Sequence, residues 1–220
     1  MQNGIIIWGC GGMGRDVREL CRVLDITVLG YLDERPEMRG RIVGDIEVLG
    51  DINDALPLRD GAAVVCAGVG DPRLKSRFLG KTAALGFRLA PPLIDPAVRI
   101  PPSAHIGTGS VICTGAVISA NVRLHDHVII NMNASIGHDA ELHDFVTVSP
   151  GANVSGNVTL DAGVFIGSNA AIREKVRIGA GSVIGACAYV HTDIPAGIKA
   201  LPTTRLEYTP VAPNSSGEEF

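Results

Sequence analysis

From Ile94 onward an aliphatic side chain returns at every sixth residue, through Ile100, Ile106, Ile112 and Ile118 to Ile184 and Val190. All seventeen of these positions carry Ile, Leu or Val. Four residues after each stands another small or aliphatic side chain, as at Ala104, Ser110, Ala116, Val122, Val128, Ala134 and Ala140. A period of six matches neither the 3.6 of a helix nor the simple alternation of a meander. It predicts short strands and turns wound into a solenoid, each coil resting on the next with the repeated aliphatic turned inward. Gly follows the aliphatic at Gly107, Gly137, Gly167, Gly179 and Gly185, which predicts that the chain bends there without a Cβ.

The first ninety residues follow another pattern. Residues 4–8 read as a buried strand that runs into Gly9-Cys10-Gly11-Gly12-Met13-Gly14, followed by helical spacing over residues 15–24. Further strands are predicted over 26–32, near 63–67 and near 87–93, with a helix near 72–85. Alternating β and α segments argue for a small parallel sheet with covering helices. Pro91, Pro92, Pro96, Pro101 and Pro102 mark the passage into the repeat. The expected organisation is an α/β domain over 1–93, the solenoid over 94–206 and a flexible tail over 207–220.

Composition and charge narrow the class. Ile and Val number 43 of 220 residues against nine aromatics, as thin, regular β-structure filled by small aliphatics requires. A disordered chain would hold fewer aliphatics and more charge than the 19% found here. The net charge is −4 and no Lys/Arg run occurs, which speaks against a nucleic-acid partner. No apolar stretch approaches the roughly 18 residues that span a bilayer, and the first residues lack the basic start of a secretion signal. Five scattered cysteines without a C-x-x-C pair point to reduced thiols and a cytoplasmic protein.

Gly9-x-Gly11-x-x-Gly14 matches a dinucleotide-binding fingerprint, with Asp33 nineteen residues after Gly14. Glycines let the backbone approach phosphate, and the following helix start offers unpaired N–H groups. Ninety residues supply only one nucleotide-binding half, so a mononucleotide carrying another group is expected rather than NAD. The alternative is a tight turn needed only for packing. Of the six histidines, His125 and His143 lie eighteen residues apart and are expected to stack on one edge, as exposed turn residues rather than a metal pair. His105 and His191 fall in no motif and are read as surface residues.

The repeat resembles the left-handed parallel β-helix of bacterial acyltransferases, where three hexapeptides make one coil of a triangular prism; seventeen repeats then give between five and six coils. With the Gly-rich half-Rossmann domain, residues 4–206 resemble the bacterial sugar acyltransferases, which include nucleotide-linked 4-amino-sugar N-acetyltransferases and sialic acid O-acetyltransferases. The resemblance implies a homotrimer with acetyl-CoA between neighbouring prisms, a nucleotide-linked amino sugar held by the small domain, and no metal. The family's Asn-led segment is similar to Asn131-Met132-Asn133-Ala134-Ser135-Ile136-Gly137-His138-Asp139, which implies His138 as general base and Asp139 as the carboxylate that orients it. Adjacent strand residues point to opposite sides, so this pairing requires a turn. The resemblance assigns Gly11, Gly12, Met13, Gly14, Asp33, Glu34, Arg35 and Asn131 to the nucleotide sugar. It assigns Thr147, Gly156, Gly167, Ser168, Gly185, Ala186 and Arg205 to acetyl-CoA.

Three departures stand out: Thr147 where a second His is frequent, Met13 where the loop frequently has His, and Ala200–Arg205 in place of a Gly-x-Pro-Ala-Lys ending. Another hexapeptide family, the gamma-type carbonic anhydrases, binds zinc through three His, but the position of the first is Pro102 here. The expected activity is acetyl transfer from acetyl-CoA to the amino group of a nucleotide-linked amino sugar. The alternatives are transfer to a sugar hydroxyl and a non-catalytic nucleotide-sugar-binding scaffold.

Overall fold

Sixteen of the seventeen periodic aliphatics close a two-residue strand, from Leu93–Ile94 to Tyr189–Val190; Ile100 alone stands outside one. The computed structural model describes residues 4–203. Strands one coil apart pair in parallel and in register, so that Ile112 faces Ile130, which faces Val148. Three parallel sheets of five, five and seven strands result. They are the sides of a left-handed triangular prism. The periodic aliphatics from Ile112 to Val190 and the small residues four positions on fill its interior almost without exposure.

The corners obey a second six-residue rule. Every sixth residue from Gly109 to Cys187 has positive φ, between +55° and +71°. Gly or Asn, which tolerate that conformation, hold nine of the fourteen places. His127, Asp139, Phe145, Lys175 and Cys187 adopt it too, because stacking on the coils above and below outweighs local preference. The expected bend at the Gly directly after the aliphatic is therefore corrected: the left-handed residue comes two positions later. Those earlier glycines answer to crowding instead. A Cβ at Gly107 would lie 2.4 Å from the backbone of His125, and at Gly167 it would lie 2.5 Å from the amide of Ala186.

The N-terminal domain is a six-stranded sheet of β1 (Gly4–Trp8), β2 (Val28–Leu32), β3 (Ile42–Val43), β4 (Ile46–Gly50), β5 (Ala62–Val65) and β6 (Arg88–Leu89), ordered β3-β4-β2-β1-β5-β6. Helix α1 (Gly12–Val23) connects β1 to β2, and α2 (Pro72–Ala84) connects β5 to β6. Three expectations change. The β3–β4 hairpin, turning at Gly44 with φ +68°, extends the sheet and was not anticipated. The strand expected near 63–67 stops at Val65 and gives way to a short 3-10 turn. Leu93–Ile94, at the expected domain boundary, pairs with Val111–Ile112 and is a prism strand.

The domain sits on the outer side of the seven-stranded sheet, where Val111, Cys113 and Ile129 join its core. Lys75 of α2 is fully buried, donating to the His127 and Val146 carbonyls at 2.9 and 3.1 Å. Burial lowers its pKa well below the ordinary lysine value. The Thr147 hydroxyl donates to the Gly70 carbonyl at 2.8 Å. Among the described residues no helix is long and apolar enough to cross a membrane.

The two glycine roles separate experimentally. Lys175→Gly, at an exposed corner with φ +64°, relieves about 1 kcal/mol of left-handed strain and should raise the melting temperature by about 2–4 °C. Gly179→Ala, where a Cβ would lie 2.3 Å from the Ala196 amide, should lower it. Thermal unfolding of the two variants checks both signs.

Candidate active site

β1 ends at Trp8, and the chain turns at Gly9 with φ +108° to enter α1. A Cβ at Gly11 or Gly12 would meet nothing within 4 Å, so both backbones are approachable from the cavity they line. The N-cap Gly11 gives the first amides of α1 no side-chain partner, which leaves the positive end of the helix open to an anion. The cavity has a volume of about 490 Å³, and Met13, Arg35 and Arg77 share its lining with these glycines.

Gly14 is a correction. It is buried outside that lining, and a Cβ there would lie 1.9 Å from the Gly9 carbonyl oxygen, so it serves helix–turn packing. Asp33 and Arg35 form an ion pair that leaves the guanidinium exposed. The Asp33 carboxylate accepts from the Arg35 backbone and guanidinium at 2.8–3.0 Å and from the Cys10 thiol at 3.0 Å. The guanidinium, above all, holds the Asp33 carboxyl well below the usual carboxylate range. Burial first, and then Asp33, push the Cys10 thiol up to about 11. Glu34 accepts from Arg77 and Lys81 of α2, bracing the cavity rim. Asn131 lies at a prism corner outside the cavity lining, its amide nitrogen 3.8 Å from the Met13 sulfur.

The second place is the corner between the sheets holding Ser135–Ile136 and Glu141–Leu142. His138 and Asp139 occupy the turn there, Asp139 in the left-handed conformation at φ +58°. That turn lets neighbours in sequence face one another: His138 Nδ1 and Asp139 Oδ2 are 2.8 Å apart. The ring lies over Gly156, one coil on, where a Cβ would come within 2.6 Å of Nε2. Gly156 thus provides the seat of the imidazole. The His138 side chain is 62% exposed. The other carboxylate oxygen of Asp139 accepts from the Asn121 amide at 2.9 Å, and Asn121 and His138 together lower the Asp139 pKa. Asn121 was missed in the sequence, although counting eighteen back from Asp139 lands on it.

Gly167, Ser168, Gly185 and Ala186 occupy a different corner, between the seven-stranded sheet and the sheet of Ala171–Ile172. Thr147 is corrected: it is 2% exposed and bonded to Gly70, so it offers a CoA chain no contact. Arg205 and the expected tail lie outside the described residues. His125 and His143 stack as expected, with ring centres 4.6 Å apart and planes 16° from parallel. Glu141 stands 2.9 Å from His125 Nε2. Ligand atoms of His125, Glu141 and His143 all lie within 4.8 Å of one another, close enough to hold a metal ion. His127, passed over in the sequence, is buried with Nδ1 unpartnered and its pKa lowered by burial.

An α/β unit with an open glycine turn, mounted on a left-handed hexapeptide prism with an exposed imidazole–carboxylate corner, defines a two-domain transferase architecture. Residues 4–82 match the PglD N-terminal domain, and residues 157–192 match the bacterial transferase hexapeptide. The acetyltransferase domain of PglB from Neisseria gonorrhoeae is 35% identical, with a TM-score of 0.80 over 89% of this chain and 95% of that one. PerB from Caulobacter crescentus, solved with CoA and GDP-perosamine, is 29% identical, with a TM-score of 0.83 over 91% and 94%. WeeI from Acinetobacter baumannii, 22% identical with a TM-score of 0.81, shares the fold. No curated protein matches the chain. The chain belongs to the bacterial hexapeptide-repeat sugar acyltransferase family.

The cavity's glycines have distinct roles that substitution separates. Gly12→Ala adds a methyl into open space and should leave the melting temperature unchanged while weakening binding of a nucleoside diphosphate. Gly14→Ala should destabilise the fold itself. A thermal-shift titration with GDP, UDP and dTDP reads both effects.

Proposed function

We propose that the protein transfers the acetyl group of acetyl-CoA to the amino group of a nucleotide-diphosphate-linked amino sugar, with His138 as general base. The observation that carries this reading is the His138–Asp139 pair at 2.8 Å. A proton on Nδ1 facing Asp139 leaves the Nε2 lone pair free to accept one. In the proposed reaction the neutral amine attacks the thioester carbonyl carbon, and a C–N bond forms as Nε2 takes the amine proton. The tetrahedral intermediate then expels the CoA sulfur, the C–S bond breaks, and the imidazolium returns the proton to the thiolate. Asp139, kept ionised, steadies the imidazolium between these steps.

Arg35, Arg77 and the open start of α1 suit a sugar diphosphate in the cavity. The related structures support the two substrates: PerB was solved with CoA and GDP-perosamine, and the PglB domain with acetyl coenzyme A. Topology supports assembly into a homotrimer. The N-terminal domain covers one side of the prism, and His138 occupies the corner opposite that side. One chain therefore presents its cavity and its base in different directions, and a neighbouring copy brings a base to each cavity. The proposed CoA residues Gly156 on the His138 corner and Gly167, Ser168, Gly185 and Ala186 on another would line the groove between copies. Five free thiols fit a reducing, cytoplasmic setting.

His138→Ala should reduce turnover by about 10²–10⁴-fold with an unchanged melting temperature, since the side chain is exposed. The acetylated product should resist mild base, as an amide does and an ester does not. Full activity in His138→Ala would sink the assignment.

A further inference from the structure

We infer that Asn121 is a positioning residue for the proposed base, acting through Asp139; this rests on the reading of His138 given above. Residues eighteen apart stack directly on one another in this prism, and Ser103, Asn121, Asp139 and Asn157 form one such column. Two links join its members and a third reaches His138. The Asn121 backbone amide donates to the Ser103 hydroxyl at 3.0 Å. The Asn121 side-chain amide donates to Asp139 Oδ1 at 2.9 Å. Asp139 Oδ2 faces His138 Nδ1 at 2.8 Å.

The Asp139 carboxylate is exposed enough to rotate, with 45% of its side chain accessible. Its backbone is held by an amide bond to the Ala120 carbonyl at 3.0 Å, but that bond leaves the side-chain torsions free. The Asn121 amide removes this freedom. By engaging one carboxylate oxygen it fixes the plane of the group and points the other oxygen at the imidazole, so Nδ1 keeps its proton and Nε2 stays the acceptor. Such support behind a catalytic group is worth about 10–100-fold in activity where comparable partners have been removed from metal-bound histidines. Asn121 itself sits at φ +59°, a conformation Gly adopts without strain. That permits a test free of folding effects.

Asn121→Gly keeps the left-handed corner and deletes the amide. Its kcat should fall about tenfold, with KM for both substrates and the melting temperature unchanged. Asn121→Asp keeps the side-chain shape but sets a second carboxylate against Asp139, and should lose more activity than Asn121→Gly. In a His138→Ala background, Asn121→Gly should cost nothing further, because the two residues act as one unit. A purely structural role would instead lower the melting temperature or add its loss to that of His138→Ala. Wild-type kcat in Asn121→Gly beside an inactive His138→Ala would overturn the Asn121 inference alone. Wild-type kcat in His138→Ala would overturn the function and this inference together.

Discussion

Everything in this molecule hangs on a residue that turns left-handed at every sixth position. Fourteen such residues, from Gly109 to Cys187, fold each hexapeptide around a corner, and the aliphatic two places after the small residue returns the chain to the interior. Because three hexapeptides close one coil, side chains eighteen residues apart become direct neighbours about 4.8 Å apart. Columns of side chains then run along the prism without any loop to hold them. The seat of His138 on Gly156, the bond from Asn121 to Asp139 and the stacking of His125 on His143 are all products of that register.

The second constraint is the seam between domains. Lys75, buried and bonded to two prism carbonyls, and Thr147, bonded to Gly70, tie the loop and helix that form one wall of the N-terminal cavity to the prism. In the proposed reaction, a cavity and a base that face different directions on one chain call for a second copy. The proposed homotrimer would then have a chemical purpose, beyond the burial of surface.

The repeat was legible because the solenoid core draws on the same two positions of every hexapeptide, and the first of them is always Ile, Leu or Val. The corners were less so. Phe145 and Lys175 are poor left-handed residues by local preference, and the glycines that caught the eye stand where coils crowd. His138 and Asp139 could be singled out by their segment, but the turn that pairs them needed the coordinates. Asn121 was invisible for a different reason: its partner lies a whole coil away, and only the combination of period and corner identifies it. Thr147 was misplaced because the sequence does not say which of three equivalent faces the N-terminal domain covers. The β3–β4 hairpin carried a Gly44-Asp45 turn, but its two short strands gave too little periodicity to register.

The claim that one chain's base serves another chain's cavity can be measured by complementation. His138→Ala protomers, with an intact cavity, are co-assembled with Gly12→Trp protomers, whose cavity is filled but whose corner is intact. Each parent alone should be nearly inactive, and the mixed oligomers should recover a substantial fraction of wild-type acetyl transfer, since some neighbours then pair an open cavity with a working base. Activity no greater than the sum of the two parents would contradict the account and place base and cavity within a single chain.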